Sequence, residues 1–179
     1  NTLEGHTGSA SWFSSATGTA AVHVPTGATL VITEYSTGGL NAKGGGASSG
    51  FLGGDADAAS GIGSNGNDSC GTITIKGGNI VASGGSSTGS LSISGGMDPG
   101  SGIGGPGANL NLEGGVIEVV SGSYTSSSGT PAPPLDGDVE YGGDVVVVQQ
   151  NGQDLSEEVA VVEFSGPSSS TGIQSISIN

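Results

Sequence analysis

The segment GTITIKGG (Gly71 to Gly78) returns in altered form as GSLSISGG (Gly89 to Gly96) and as ANLNLEGG (Ala108 to Gly115). The closing glycine pairs, Gly77-Gly78, Gly95-Gly96 and Gly114-Gly115, are almost evenly spaced, the second interval one position longer than the first. In each copy the apolar residues alternate: Ile73 and Ile75, Leu91 and Ile93, Leu110 and Leu112. Alternation puts both aliphatics of a copy on one face of a short strand, while Thr74, Ser92 and Asn111 face the other way. A unit this short cannot bury its own apolar face and must stack on others of its kind. Stacking predicts two internal columns, Ile73–Leu91–Leu110 and Ile75–Ile93–Leu112. The glycine pairs mark corners, because glycine reaches positive φ without a Cβ clash. Hairpin turns would join adjacent antiparallel strands, whereas these copies recur with whole segments between them. The expected fold is therefore all-β: a right-handed parallel β-helix, or β-solenoid, with short coils and glycine corners.

A second echo has a different length. ASGIGSNG, starting at Ala59, recurs as GSGIGGPG from Gly100, and the step from Gly61 to Gly102 is longer than that from Gly77 to Gly114. The loop Ser64 to Cys70 is longer than its counterpart after Gly104, and a corner is where a solenoid tolerates insertion. The repeat is either one rung, with the length of the step from Gly77 to Gly95, or a larger unit holding two, and both readings stand.

Upstream, TAAVHVPTGATLVIT (Thr19 to Thr33) carries the same alternation in Val22 and Val24 and in Leu30 and Ile32, with a turn at Pro25-Thr26-Gly27. GGLNAKGGG adds a short strand around Leu40. Residues 1–17, with Trp12 and Phe13, read as an N-terminal cap, since terminal coils need their core covered. Residues 18–124 read as the repeats and 125–134 (TSSSGTPAPP) as a Ser/Pro-rich connection. Residues 135–179 form an acidic C-terminal part with three strand candidates, which complete the solenoid, cap it or supply strands to a neighbouring subunit. The abrupt start at Asn1 reads as a mature or trimmed product.

Charge narrows the function. The formal net charge is −14, with Lys43 and Lys76 the only basic residues of the Lys/Arg type. Binding nucleic acid or an anionic membrane surface needs cationic neutralisation of phosphate, so both are excluded as partners. No apolar run nears the ~20 residues of a membrane-spanning helix. The single Cys70 makes no internal disulfide, and few cysteines with abundant Ser, Thr, Gly and Asn fit a bacterial extracellular protein.

SGIGSNGNDSCGTITIKGGNIVASGG, followed by SGIGGPGANLNLEGGVIEVVSG, resembles the Gly-Ile-Gly and Gly-x-Ile-x-Ile-x-Gly-Gly repeats of bacterial secreted and cell-surface β-helix proteins. YGGDVVVV looks like the closing strand of related carbohydrate-binding β-helix domains. The resemblance covers roughly residues 18 to 122 and implies an extracellular parallel β-helix, often a module of adhesive or polysaccharide-associated proteins. It implies no catalytic residues.

The residues themselves argue against catalysis. Pectin-active lyases of this architecture use a strong base beside calcium; this chain has no arginine, and Lys76 reads as a solvated charge before a corner. Hydrolases need clustered carboxylates, and Asp55 with Asp57 is the only close pair in the repeats. The expectation is that the chain is not an enzyme. His6 and His23 have no partner at zinc spacing, and Cys70 has no activating base nearby in sequence. Ranks of threonines for ice binding are missing, since the outward column is Thr74, Ser92 and Asn111.

Calcium is the metal option, because hard cations take carboxylate and carbonyl oxygens. GGDADAASG and NGNDS offer Asp55, Asp57 and Asp68; LDGDVEYGGD offers Asp136, Asp138, Glu140 and Asp144. The last begins like an EF-hand loop, yet Tyr141 replaces the sixth-position glycine and Val147 the twelfth-position acid. The competing reading of all three segments is polar turn chemistry. Two functions follow. One is an extracellular structural or adhesive module that associates with itself into a filament, stalk or surface layer. The other is a calcium-assisted polysaccharide-binding module on the bacterial cell surface. The seven aromatic residues do not recur at the repeat spacing, which favours the first.

Overall fold

A computed structural model describes residues 1–12, 14–50, 54–89, 96–125, 129–150 and 161–165. Among them the chain is all-β, with no helix. A first pass is made by β1 (Thr2–Glu4), β2 (Gly8–Ser9), β3 (Ala16–Thr17), β4 (Val22–His23) and β5 (Thr29–Ile32). A second is made by β6 (Gly39–Lys43), β7 (Ala47–Ser48), β8 (Ala56–Asp57), β9 (Ile62–Gly63) and β10 (Thr72–Ile75). A third follows with β11 (Asn79–Ser83), β12 (Ser87–Thr88), β13 (Met97–Asp98) and the first part of the long strand β14 (Ile103–Val120). The end of β14 opens a fourth pass, which continues into β15 (Leu135–Gln150); β16 (Val161–Ser165) comes last.

Each pass visits the same five stations, and each station is a parallel ladder. Leu40, Ile80, Ile117 and Val147 align at the first. Gly8, Ala47 and Ser87 align at the second, and Ala16, Ala56 and Met97 at the third. Val22, Ile62, Ile103 and Leu135 form the fourth. Leu30, Ile73, Leu110 and Val139 lie at the fifth, beside Ile32, Ile75, Leu112 and Tyr141. Because β14 and β15 each run through the fourth, fifth and first stations, these ladders join into one nearly closed, barrel-like sheet. The second and third stations form two separate three-stranded sheets.

The larger repeat unit is the one that stacks. Along the column Leu40–Ile80–Ile117–Val147 every step is far longer than the interval between glycine pairs, and the steps shorten toward the C-terminus. Ile73 lies directly on Leu110 and Ile75 on Leu112, with no strand between them. This corrects the expected columns, which placed Leu91 and Ile93 in between. Leu91, Ile93 and Gly95 fall outside the described residues. Gly96 leads into β13 at the third station, so it is no counterpart of the fifth-to-first corners at Gly78 (φ 92°) and Gly115 (φ 94°), which follow Gly77 and Gly114. The physical reason is that alternation reports only the side-chain direction of a strand, and any short strand shows it; backbone pairing decides which strand it joins.

Residues 1–17 are not set apart as a cap. They supply β1, β2 and β3, each in register with the second pass. Nor does the Ser/Pro-rich segment stand outside the stack, since Tyr124 bridges Ser87 and Gly129 bridges Met97 in parallel.

The first three passes are pinched into two lobes. The larger holds Ile62, Ile73, Ile75, Ile80, Ile103, Leu110, Leu112, Ile117, Val119 and Val147, all fully buried. Burying one such side chain contributes ~1.5–3 kcal/mol. The smaller, at the second and third stations, is built around Ala16, Ala47, Ala56 and Ala58. Between the lobes the backbones of facing corners touch. Thr19 N–H donates to His6 O (3.0 Å), Gly45 N–H to Thr19 O (2.9 Å) and Ala59 N–H to Gly45 O (3.0 Å). The row continues with Gly85 N–H to Ala59 O (2.9 Å), Gly100 N–H to Gly85 O (2.9 Å) and Gly122 N–H to Gly100 O (2.8 Å). This seam zigzags across the interior from one pass to the next. A Cβ on Gly85 would overlap Gly45 O, and one on Gly100 would overlap Ala59 O. Here glycine is required for close approach of two backbones.

Candidate functional site

The third station gathers acids. The register of β8 on β13 puts Asp57 beside Asp98, and Asp55 stands just ahead of β8. Asp55 accepts the Gly96 N–H at 2.9 Å. The Asn67 amide donates to Asp57 Oδ1 at 2.9 Å and to Asp98 Oδ2 at 3.4 Å. It reaches them from the turn Asn65–Asp68, closed by Asp68 N–H donating to Asn65 O at 2.9 Å. Burial pushes the Asp57 carboxyl above the ordinary carboxylate range, and the charges of Asp98 and Asp55 push it further. Asp68 itself is exposed at the end of the turn.

Next to this row runs a groove of about 190 Å³ with polar and apolar walls. Asp98, Asn67, Ser101, Pro131 and Asp136 line it. Ser60 joins them from a buried hydroxyl cluster, donating to Gly104 O at 2.7 Å and lying 2.9 Å from Ser101 Oγ. Asp136 is partly buried, and burial raises its pKa. Asp138 and Glu140 follow on β15, opposite Asn109 and Asn111 and more open to solvent. Asp144 continues the strand opposite Gly114, and its side chain lies outside the description.

The seven acids proposed from sequence thus divide. Asp55 and Asp57 meet with Asp98, which sequence reading missed; Asp136, Asp138 and Glu140 spread along a strand. Among the described residues no three His, Cys, Asp or Glu side chains come together to hold a metal ion. Asn67 and the Gly96 N–H supply donors to the Asp55–Asp57–Asp98 row. The missed partner had a signal: Met97-Asp98 follows Ala56-Asp57 at the same interval as Gly102 follows Gly61 in the Gly-Ile-Gly echo.

The remaining candidates are dispersed. Lys76 pairs with Glu113 at 3.3 Å on the surface. Cys70 is buried, and its thiol pKa is raised by burial and then by Asp136, against the lowering effect of the Gly71 backbone. His23 Nδ1 lies 3.5 Å from the Asn65 amide nitrogen. Trp12 (66 % exposed), Tyr35 and Tyr141 are exposed at three different places along the passes and form no row.

The other prominent feature is the outer edges. β1 to β5 pair only with β6 to β10, so among the described residues the first pass has an open side at every station. At the far end β16 lies antiparallel on Val145–Gln149 of β15, while Leu135–Tyr141 meets no strand on its outer side among the described residues. No family model matches the chain, and no curated protein or solved structure matches it either.

Proposed function

We propose that the chain is a right-handed parallel β-helix of the glycine-rich bacterial surface kind, and that it acts outside the cell as a structural or adhesive module associating with itself. The open side of the first pass carries this reading. An unpaired strand edge is a template for another strand, and these five edges have the outline of the passes they already stack on. The stacked core supports a rigid module. The scatter of the exposed aromatics, and the Asn67 and Gly96 N–H donors already on the Asp55–Asp57–Asp98 row, support scaffold over ligand site, so calcium-assisted polysaccharide binding is the weaker reading.

The test is assembly size against protein concentration, by light scattering and negative-stain microscopy, for the wild type and for Val31→Pro. Thr72 N–H donates to Ala28 O and Lys76 N–H to Ile32 O. By the alternation of a parallel ladder, the peptide groups of Val31 then face the open side. Proline there removes an outward donor and leaves the internal ladder intact. The wild type should form linear assemblies that grow with concentration and persist in EDTA, and Val31→Pro should shorten them. A wild type that stays monomeric at all concentrations defeats the proposal.

A further inference from the structure

We propose that copies of this chain join head to tail in one register, the Leu135–Tyr141 edge of one copy against the Val22–Ile32 edge of the next, so that Asp136 of one meets His23 of the other. This rests on the self-association proposed above and names its contact.

The fourth station supplies the geometry. Beside the aliphatic column Val22–Ile62–Ile103–Leu135 runs a second column, His23–Gly63–Gly104–Asp136. Its two inner members are glycines at φ 144° and 107°. A Cβ on Gly63 would overlap Gly104 O, and one on Gly104 would overlap Asp136 O. Side chains are therefore shut out of the middle of the column and present only at its two ends: an imidazole on the first pass and a carboxylate on the last. One further step of the same ladder, about 4.8 Å, brings that imidazole over that carboxylate. The Asp136 side chain is partly buried and has no hydrogen-bond or ion-pair partner among the described residues, and His23 is exposed. The same step lays Val22 on Leu135, Leu30 on Val139 and Ile32 on Tyr141, which extends the apolar columns.

Charge selects the orientation. Joining two last-pass edges would face Asp136, Asp138 and Glu140 with their own copies; joining two first-pass edges would leave all of them without a partner. A head-to-tail contact does not close, so it propagates into a fibre. β16 covers only the first station. The contact therefore uses the fourth and fifth stations, and the incoming β1, a three-residue edge strand, yields to it.

The experiment is a charge exchange on the full chain. His23→Asp alone and Asp136→Lys alone should each raise the concentration needed for assembly at least tenfold. The double variant should restore it. An equimolar mixture of the two single variants should also assemble, because strict alternation of the two copies sets the native Asp136 on the native His23 at one contact and the introduced lysine on the introduced aspartate at the next, so that only contacts between copies of the same variant are unfavourable. Melting curves confirm that each variant folds; where Asp136→Lys does not, Asp136→Asn replaces it and should weaken assembly more mildly. Assembly equal in wild type and both single variants overturns this contact and leaves self-association standing. Single variants that assemble poorly, with neither the double variant nor the mixture recovering, also overturn it. A wild type that never assembles overturns both.

Discussion

The two lobes are built by the same chain on each of the first three passes and are held by different forces. The larger lobe stacks Leu30, Ile73, Leu110 and Val139 in one column and Leu40, Ile80, Ile117 and Val147 in another. The smaller lobe has alanines where those columns have isoleucine and leucine, with Met97 as its one large fully buried side chain among the described residues. Ser87 sits fully buried there, with its hydroxyl 2.8 Å from Ala56 O and 2.7 Å from Asp98 O. The larger lobe thus owes most to removal of apolar area from water, and the smaller to satisfied backbone groups in a space too thin for water. The seam lets one chain do both, because it fixes the distance at which the smaller lobe closes.

Substitution should separate these contributions, and the seam should give the largest effect. Gly100→Val drives a side chain into the Ala59 carbonyl, which belongs to backbone and cannot swing aside. A loss of ~4 kcal/mol or more is expected in urea unfolding, at the upper end of single-site effects; a loss below ~1 kcal/mol would mean the lobes are not joined as described. Leu110→Ala, in the larger lobe, should cost ~2–5 kcal/mol by the same measurement. Ser87→Ala, in the smaller, should cost ~0.5–1.5 kcal/mol, the net worth of one hydrogen bond, since the single O–H serves one carbonyl at a time and Asp98 O keeps the Ala58 N–H. If the serine change proves the more costly of these two, the contrast between the lobes is wrong.

The smallest effect has a distinctive pH signature. The folded state holds the Asp57 proton more tightly than the unfolded chain does. Its contribution to stability is therefore most favourable below the ordinary carboxylate pKa and falls as pH rises through the raised folded value. Asp57→Asn keeps an oxygen for Asn67 and removes one of the stacked charges. It should stabilise at pH 7 by ~0.2–1 kcal/mol, the range for like charges directly opposite on neighbouring strands. The gain should vanish toward pH 3, as followed by melting temperature across that range. A gain that is the same at both pH values would refute the shift.

Strand faces and corners were legible in the sequence because they are local. The alternation of Ile73 with Ile75 and of Leu110 with Leu112 states which way each side chain points, and Gly78 and Gly115 punctuate it. Register was not legible. GSLSISGG alternates as well as its neighbours do, and nothing within it tells which station it serves. The stacking period was present in the Gly-Ile-Gly echo from Gly61 to Gly102 and in the likeness of GGLNAKGGG to GGNIVASGG, which differ in side chains but agree in their flanking glycines. The acid row required that register before Asp98 could be set beside Asp57. The seam was hidden for another reason: Gly45, Gly85 and Gly100 look like turn glycines until the carbonyls they face are known.

The seam also has a direction. In each of its six bonds the donor comes later in the chain than the acceptor. In the three that join successive passes, Gly45 to Thr19, Gly85 to Ala59 and Gly122 to Gly100, the N–H groups point toward the first pass and the C=O groups toward the last. Hydrogen bonds in a row polarise one another, and peptide dipoles that point the same way add, whereas those of strand ladders largely cancel. The peptide dipoles of the bonds between passes thus point one way along the stack, with their positive ends toward the first pass. Copies joined head to tail would align these dipoles, and copies joined through like ends would oppose them.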